Sequence, residues 1–160
     1  MIDLVIGSDH RGYELKEHLT NYLTPIDKET KFNITTFLDT GPHTELINVD
    51  YPDTVQALAK ELETPDKKNA DWQCFNRGIL ICGSGFGVCM AANRLPYVRA
   101  VTVRTTQEAK MARLHNNANV LCLGADFTTP RQANKIVEAF LTTDFEGGRH
   151  TKRLKKFGYR

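Results

Sequence analysis

The sequence predicts an α/β fold in which helices cover both faces of a five-stranded parallel sheet. Three observations carry that expectation. Short apolar runs alternate with amphipathic, helix-like stretches along the whole chain. The run Gly78-Ile-Leu-Ile-Cys82 is apolar on both faces, as a parallel strand covered by helices requires, and Val98–Val103 and Asn119–Leu123 read alike. No internal repeat, low-complexity tract or linker divides the 160 residues, a length suited to one domain, so residues 1–160 are expected to form a single unit.

The elements follow in order. Leu4-Val-Ile-Gly7 is a short buried strand, ended by Ser-Asp-His-Arg-Gly. Leu15, His18, Leu19, Tyr22 and Leu23 then recur at three- and four-residue steps, the spacing of one helix face. Asn33–Leu38 reads as the second strand, closed by Asp39-Thr-Gly-Pro42. Tyr51-Pro52-Asp53 opens a helix through Val55, Leu58, Ala59 and Leu62, with Pro52 suited to its first turn. The polar stretch 64–76 reads as a surface loop before the third strand. A helix begins within the glycine loop after Cys82, and two more are expected at Thr106–Leu114 and Pro130–Leu141 around the remaining strands. The sum is a Rossmann-like three-layer sandwich with a five-stranded parallel sheet.

Bulk properties narrow the function. A formal net charge of +2 is too small to indicate nucleic acid or a membrane surface as partner. No run approaches the roughly 20 apolar residues of a membrane span, and Met1–Ile6 has no basic, apolar leader pattern. Cys74, Cys82, Cys89 and Cys122 form no CxxC pair and no zinc-like spacing with histidine. The expectation is a cytoplasmic protein with free thiols and no metal.

In an open parallel sheet, ligands bind beyond the carboxyl ends of the strands. Gly83, Gly85 and Gly87 let backbone approach a ligand there, and the helix that follows presents free amides to an anion. The loop lacks the third glycine of a dinucleotide fingerprint, because Val88 stands in that place, and it has no P-loop Gly-Lys-Ser/Thr. Cys82 stands at the last strand position before it, an address where a thiol can act as base or nucleophile. The other cysteines read as small buried hydrophobes. His10 follows Asp9 after the first strand, and His115 ends a helix beside Asn116, in what reads as a neighbouring loop. Arg149 and Arg153 are four residues apart in a basic tail, placing two guanidiniums on one helix face. Such a pair suits a phosphate or a merely solvated end.

The segments Gly7-Ser-Asp9-His10-Arg-Gly12, Asp50-Tyr51-Pro52, Ile79–Gly87 with Ala91-Ala-Asn93, His115-Asn116 and Glu146-Gly-Gly-Arg149-His150…Arg153 resemble type B ribose-5-phosphate isomerase. That wider family also contains galactose-6-phosphate isomerase subunits. The resemblance runs nearly end to end. It implies a homodimer or tetramer with active sites shared between subunits, a C-terminal helix at about 146–157 packing on the partner, and no cofactor. It further implies that Cys82 moves a proton between sugar C1 and C2, and that Gly83, Ser84, Gly85, Phe86 and Gly87 hold the enediolate. His115 would open the cyclic substrate and Asn116 would contact the sugar. Asp9 and His10 would bind substrate, and Arg149 and Arg153 its phosphate. Members that use a glutamate after the glycine loop as base carry it where this chain has Val88, so the cysteine version applies.

The implied activity is interconversion of D-ribose 5-phosphate and D-ribulose 5-phosphate in the pentose phosphate pathway. A four- or six-carbon phosphosugar, or phosphosugar binding without turnover, are the alternatives. Two departures motivate them. The stretches 24–31 and 64–76 are longer than in compact members. Where the family often has a phosphate-binding arginine after strand five, this chain has Gly124-Ala125-Asp126. An acid there would repel a phosphate unless it is turned away or paired.

Overall fold

The computed structural model describes residues 2–24, 32–62 and 76–156. Its elements are β1 (Ile2–Ser8), a 3-10 turn (His10–Gly12), α1 (Tyr13–Leu23), β2 (Ile34–Asp39), α2 (Tyr51–Leu62), β3 (Arg77–Cys82), α3 (Phe86–Ala92), β4 (Ala100–Thr102), α4 (Thr106–Asn116), β5 (Val120–Gly124), α5 (Pro130–Thr142) and α6 (Arg149–Lys155). The strands form one parallel five-stranded sheet in the order β2-β1-β3-β5-β4. The fold expected from the sequence is present. The longer stretches 24–31 and 64–76 fall outside the described residues except for Thr24 and Asn76, and Cys74 lies there too.

Side-chain alternation builds the three layers. Leu4, Ile6, Ile79, Ile81, Leu121 and Leu123 point to a core completed by residues of α1, α4 and α5, including Leu19, Ala109 and Phe140. Val5, Leu80, Cys82, Val120 and Cys122 point to the opposite face, against Val55 and Leu58 of α2 and Val88 and Ala92 of α3. Each large aliphatic side chain buried this way contributes about 1.5–3 kcal/mol. Two helix starts are fixed by reciprocal capping. Thr105 and Glu108 exchange side-chain-to-backbone bonds at α4, and Thr129 and Gln132 do so at α5, where Pro130 takes the first turn.

Two boundaries differ from the sequence reading. The strand expected over Val98–Val103 is only Ala100–Thr102. It is an edge strand, and side-chain amides take over its backbone groups. Asn119 Oδ1 accepts from Arg99 N at 2.7 Å, while Asn93 accepts from Ala100 N at 2.9 Å and donates to Ala100 O at 2.8 Å. The C-terminal helix expected over 146–157 begins at Arg149. Gly147 and Gly148 precede it with φ of 72° and 55°, a left-handed backbone that cannot continue a right-handed helix. No described helix is long and apolar enough to cross a membrane.

Candidate active site

The strand order reverses between β1 and β3, the switch point where open α/β sheets bind ligands. Both carboxyl ends there carry residues singled out above. Asp9 is buried, and one carboxylate oxygen, Oδ1, accepts from the backbone N–H groups of Arg11 (2.9 Å) and Gly12 (3.0 Å), fixing the turn after β1. Asp9 N donates to Ile81 O at 3.0 Å, which ties that turn to β3. His10 is exposed, with Nδ1 3.2 Å from Val49 O. At the end of β3, Cys82 is 5% exposed and its Sγ accepts from Gly85 N at 3.1 Å, so the sulfur sits within the turn of the glycine loop. Ser84 is half-buried, and its hydroxyl oxygen accepts from Phe86 N at 3.3 Å. The Phe86 ring is exposed.

The remaining sequence candidates lie at the other end of the sheet. The parallel register sets Gly78 beside Val120 and Cys82 beside Gly124. His115 and Asn116 close α4, just before β5 begins, so they stand at the amino-terminal edge and Cys82 at the carboxyl edge. Reading His115 as a neighbour of the carboxyl-end loops is therefore corrected. A helix returning along a parallel strand must end where the next strand starts.

That second edge is itself ordered. Buried Arg113 donates to Asn117 Oδ1 (2.9 Å), Ala118 O (2.6 Å) and Thr143 O (3.2 Å), locking the turn after α4. Burial, with Arg77 and Arg99 nearby, lowers its pKa to about 9, so it stays charged at neutral pH. Glu146 N donates to Leu114 O at 3.0 Å. The His115 and His150 rings stack at 4.3 Å and 7°, and both Nε2 atoms face Glu146 Oε2, at 3.7 and 3.6 Å. Burial, then the adjacent His115, pushes the His150 pKa down despite Glu146. Arg149 and Arg153 are exposed on α6, and Arg149 Nε donates to His150 Nε2 at 3.4 Å. One ligand atom each from His115, Glu146 and His150 falls within 4.8 Å of the others, a spacing that could hold a metal. Arg149 Nε donates to the same His150 nitrogen that a metal would need, and Arg153 adds a second positive charge nearby.

The thiols also differ from expectation. Cys82, Cys89 and Cys122 are free, and Cys122 is a buried hydrophobe as expected. Cys89 is only half-buried, and its pKa falls to about 6 because Cys122, Thr102 and Asn93 hydrogen-bond its sulfur, outweighing burial.

The Ribose/Galactose Isomerase family profile matches residues 4–157. The chain belongs to that family. It is 44% identical over 154 residues to the probable ribose-5-phosphate isomerase B of Mycoplasma genitalium, covering 96% of this chain and 92% of that one. It is 36% identical over 159 residues to the D-erythrulose-4-phosphate isomerase of Pectobacterium atrosepticum, covering 99% and 95%. The crystal structure of the Mycoplasma genitalium ribose-5-phosphate isomerase B with bound ribulose-5-phosphate superposes with a TM-score of 0.77, at 42% identity over 97% of this chain and 93% of that one. Membership makes the chain a sugar-phosphate isomerase of the aldose–ketose type. In this isomerase, two residues at the carboxyl edge escaped the sequence reading. The Tyr51 ring packs so close to Gly87 that a Cβ there would come within 3.1 Å of it, and the Arg11 guanidinium lies against Gly83. The motif containing Asp50-Tyr51-Pro52 was a signal for the first. Arg11 likewise stands in the segment Gly7-Ser-Asp9-His10-Arg-Gly12, but nothing there pointed to Gly83 or Asp126 as its contacts.

Proposed function

We propose that the chain interconverts D-ribose 5-phosphate and D-ribulose 5-phosphate through a cis-enediolate. The observation that carries this is the placement of Cys82 Sγ, held by Gly85 N–H at the switch point beside Asp9, within a family that includes a ribulose-5-phosphate complex. Cys82 removes the proton from C2 of the open-chain aldose. The C–H electron pair forms the C1–C2 double bond, and the carbonyl pair moves onto O1. Backbone amides of Gly83–Gly87 stabilise that charge without a metal. The hydroxyl proton on O2 passes to O1 as the C2 carbonyl forms, and the Cys82 thiol returns its proton to C1. Asp9 and His10 bind the sugar hydroxyls.

His115, Asn116, Arg149 and Arg153 stand at the opposite edge, so we infer that a partner copy presents them. The working unit is then a homodimer of single-domain chains, each site combining one copy's carboxyl edge with the other's amino edge. The partner's His115 opens the sugar ring, its Asn116 contacts the sugar, and its Arg149 and Arg153 hold the phosphate. Free thiols support a cytoplasmic setting, and ribose 5-phosphate as substrate would give the chain a place in pentose phosphate metabolism.

Four-carbon substrates form the second reading, favoured by the likeness to a D-erythrulose-4-phosphate isomerase. The test is kcat/KM of the purified protein on ribose 5-phosphate, erythrulose 4-phosphate and galactose 6-phosphate. Ribose 5-phosphate should lead. Negligible turnover of it beside activity on another sugar would overturn the assignment. Cys82→Ala should abolish turnover and keep binding, and unchanged turnover would remove Cys82 as the base.

A further inference from the structure

We propose that Arg11 is a phosphate-binding residue of this isomerase, supplied from the turn after β1 and positioned by Asp126. The proposal rests on the phosphosugar reading above. Arg11 follows Asp9 and His10 in the 3-10 turn, and its backbone N–H is fixed by the Asp9 carboxylate. Its side chain then crosses the glycine loop. Arg11 Nη2 lies 2.5 Å from Asp126 Oδ2, beyond the end of β5, which joins the two loops flanking β3.

The crossing is possible because residue 83 is glycine. A Cβ there would meet Arg11 Cζ and Nε at 2.8 Å and Nη1 at 3.0 Å. Asp126 is held in turn, its N–H donating to Gly83 O at 3.0 Å. The carboxylate and the loop thus clamp the guanidinium over the residue next to Cys82.

The pair adds little stability. Its side chains are 58% and 42% exposed, and ion pairs that open to water contribute little. What the pair does is orient a cation. A guanidinium carries five N–H donors, and a single contact to Asp126 leaves others facing solvent. The nearby Arg104 is arranged differently, with its Cζ between the Phe86 and Phe127 rings at 5.4 and 4.9 Å. Arg11 is therefore a cation set across the loops that flank Cys82. With the sugar on Asp9 and His10, which share the turn that carries Arg11, the proposal puts the phosphate of the substrate at this rim. Asp126, the acid that would by itself repel the phosphate, is neutralised by the residue it holds.

The experiment measures KM and kcat for ribose 5-phosphate, together with the dissociation constant for inorganic phosphate by calorimetry. Arg11→Ala should weaken both KM and phosphate binding by about ten- to hundredfold, the loss expected for charge-assisted hydrogen bonds, with a smaller effect on kcat. The relocated cation in Arg11→Ala/Asp126→Arg should recover most of the loss, which a purely structural role would not allow. A folded Arg11→Ala protein whose KM and phosphate affinity stay within twofold of wild type overturns the proposal, as does a loss confined to kcat. If the wild type fails to turn over ribose 5-phosphate, the substrate assignment falls, and phosphate calorimetry alone still decides for or against Arg11.

Discussion

Two inactive variants of this isomerase should restore each other when mixed. The structure supplies the reason. Cys82 pairs with Gly124 at one edge of the sheet, and Val120 marks the other. At about 3.3 Å per residue, those edges lie about 13 Å apart before the turn back to His115 is counted. A proton-transfer contact needs roughly 3 Å, so one copy cannot place Cys82 and His115 on the same sugar carbon chain. Cys82→Ala and His115→Ala should each lower kcat by about 10²–10⁴, the usual worth of a positioned acid or base. In a two-fold dimer, a mixed pair of these variants has one site with both defects and one with neither. Mixed dimers isolated by two affinity tags should therefore show about half the wild-type activity, and an unsorted equal mixture about a quarter. The reciprocal control pairs wild type with Cys82→Ala/His115→Ala on one copy. Both sites are then damaged, and activity should stay near background. No recovery in the first mixture, with half activity in the second, would refute the shared site and return both residues to one copy.

Two further outcomes follow from buried charge. His150 has a folded pKa below its unfolded value of 6.5, because burial and the stacked His115 disfavour the charged ring. The unfolded chain then binds more protons than the folded one as pH falls below about 6.5, so stability declines on acidification through this group and is retained above it. Thermal midpoints from pH 7.5 to 5.0 should fall less steeply for His150→Gln than for wild type, and equal slopes would exclude His150 as the cause. Lys16 is fully buried, with Nζ 2.5 Å from Asp39 and 2.6 Å from Glu17. Lys16→Ala should cost about 3 kcal/mol by leaving the Asp39 carboxylate without its cation. A urea midpoint unchanged from wild type would mean that the pair is not held in solution.

The sequence alone was enough for whatever neighbouring residues decide. Alternating and continuous apolar runs marked the strands, three- and four-residue spacing marked the helices, and Cys82-Gly-Ser-Gly marked a strand meeting a helix, because each pattern is set within a few positions. Where local reading erred, non-local or backbone detail intervened. Side-chain amides of Asn93 and Asn119 replaced ladder bonds around β4, and positive φ at Gly147 and Gly148 delayed α6. Placement around the sheet was beyond it. The return of α4 sent His115 to the edge opposite Cys82, although both carry the marks of one site. Arg11 found Asp126 across 115 positions of chain, answering an acid whose fate the sequence left open. Strand order decides such meetings, and it depends on how whole layers pack, which no short stretch of residues encodes.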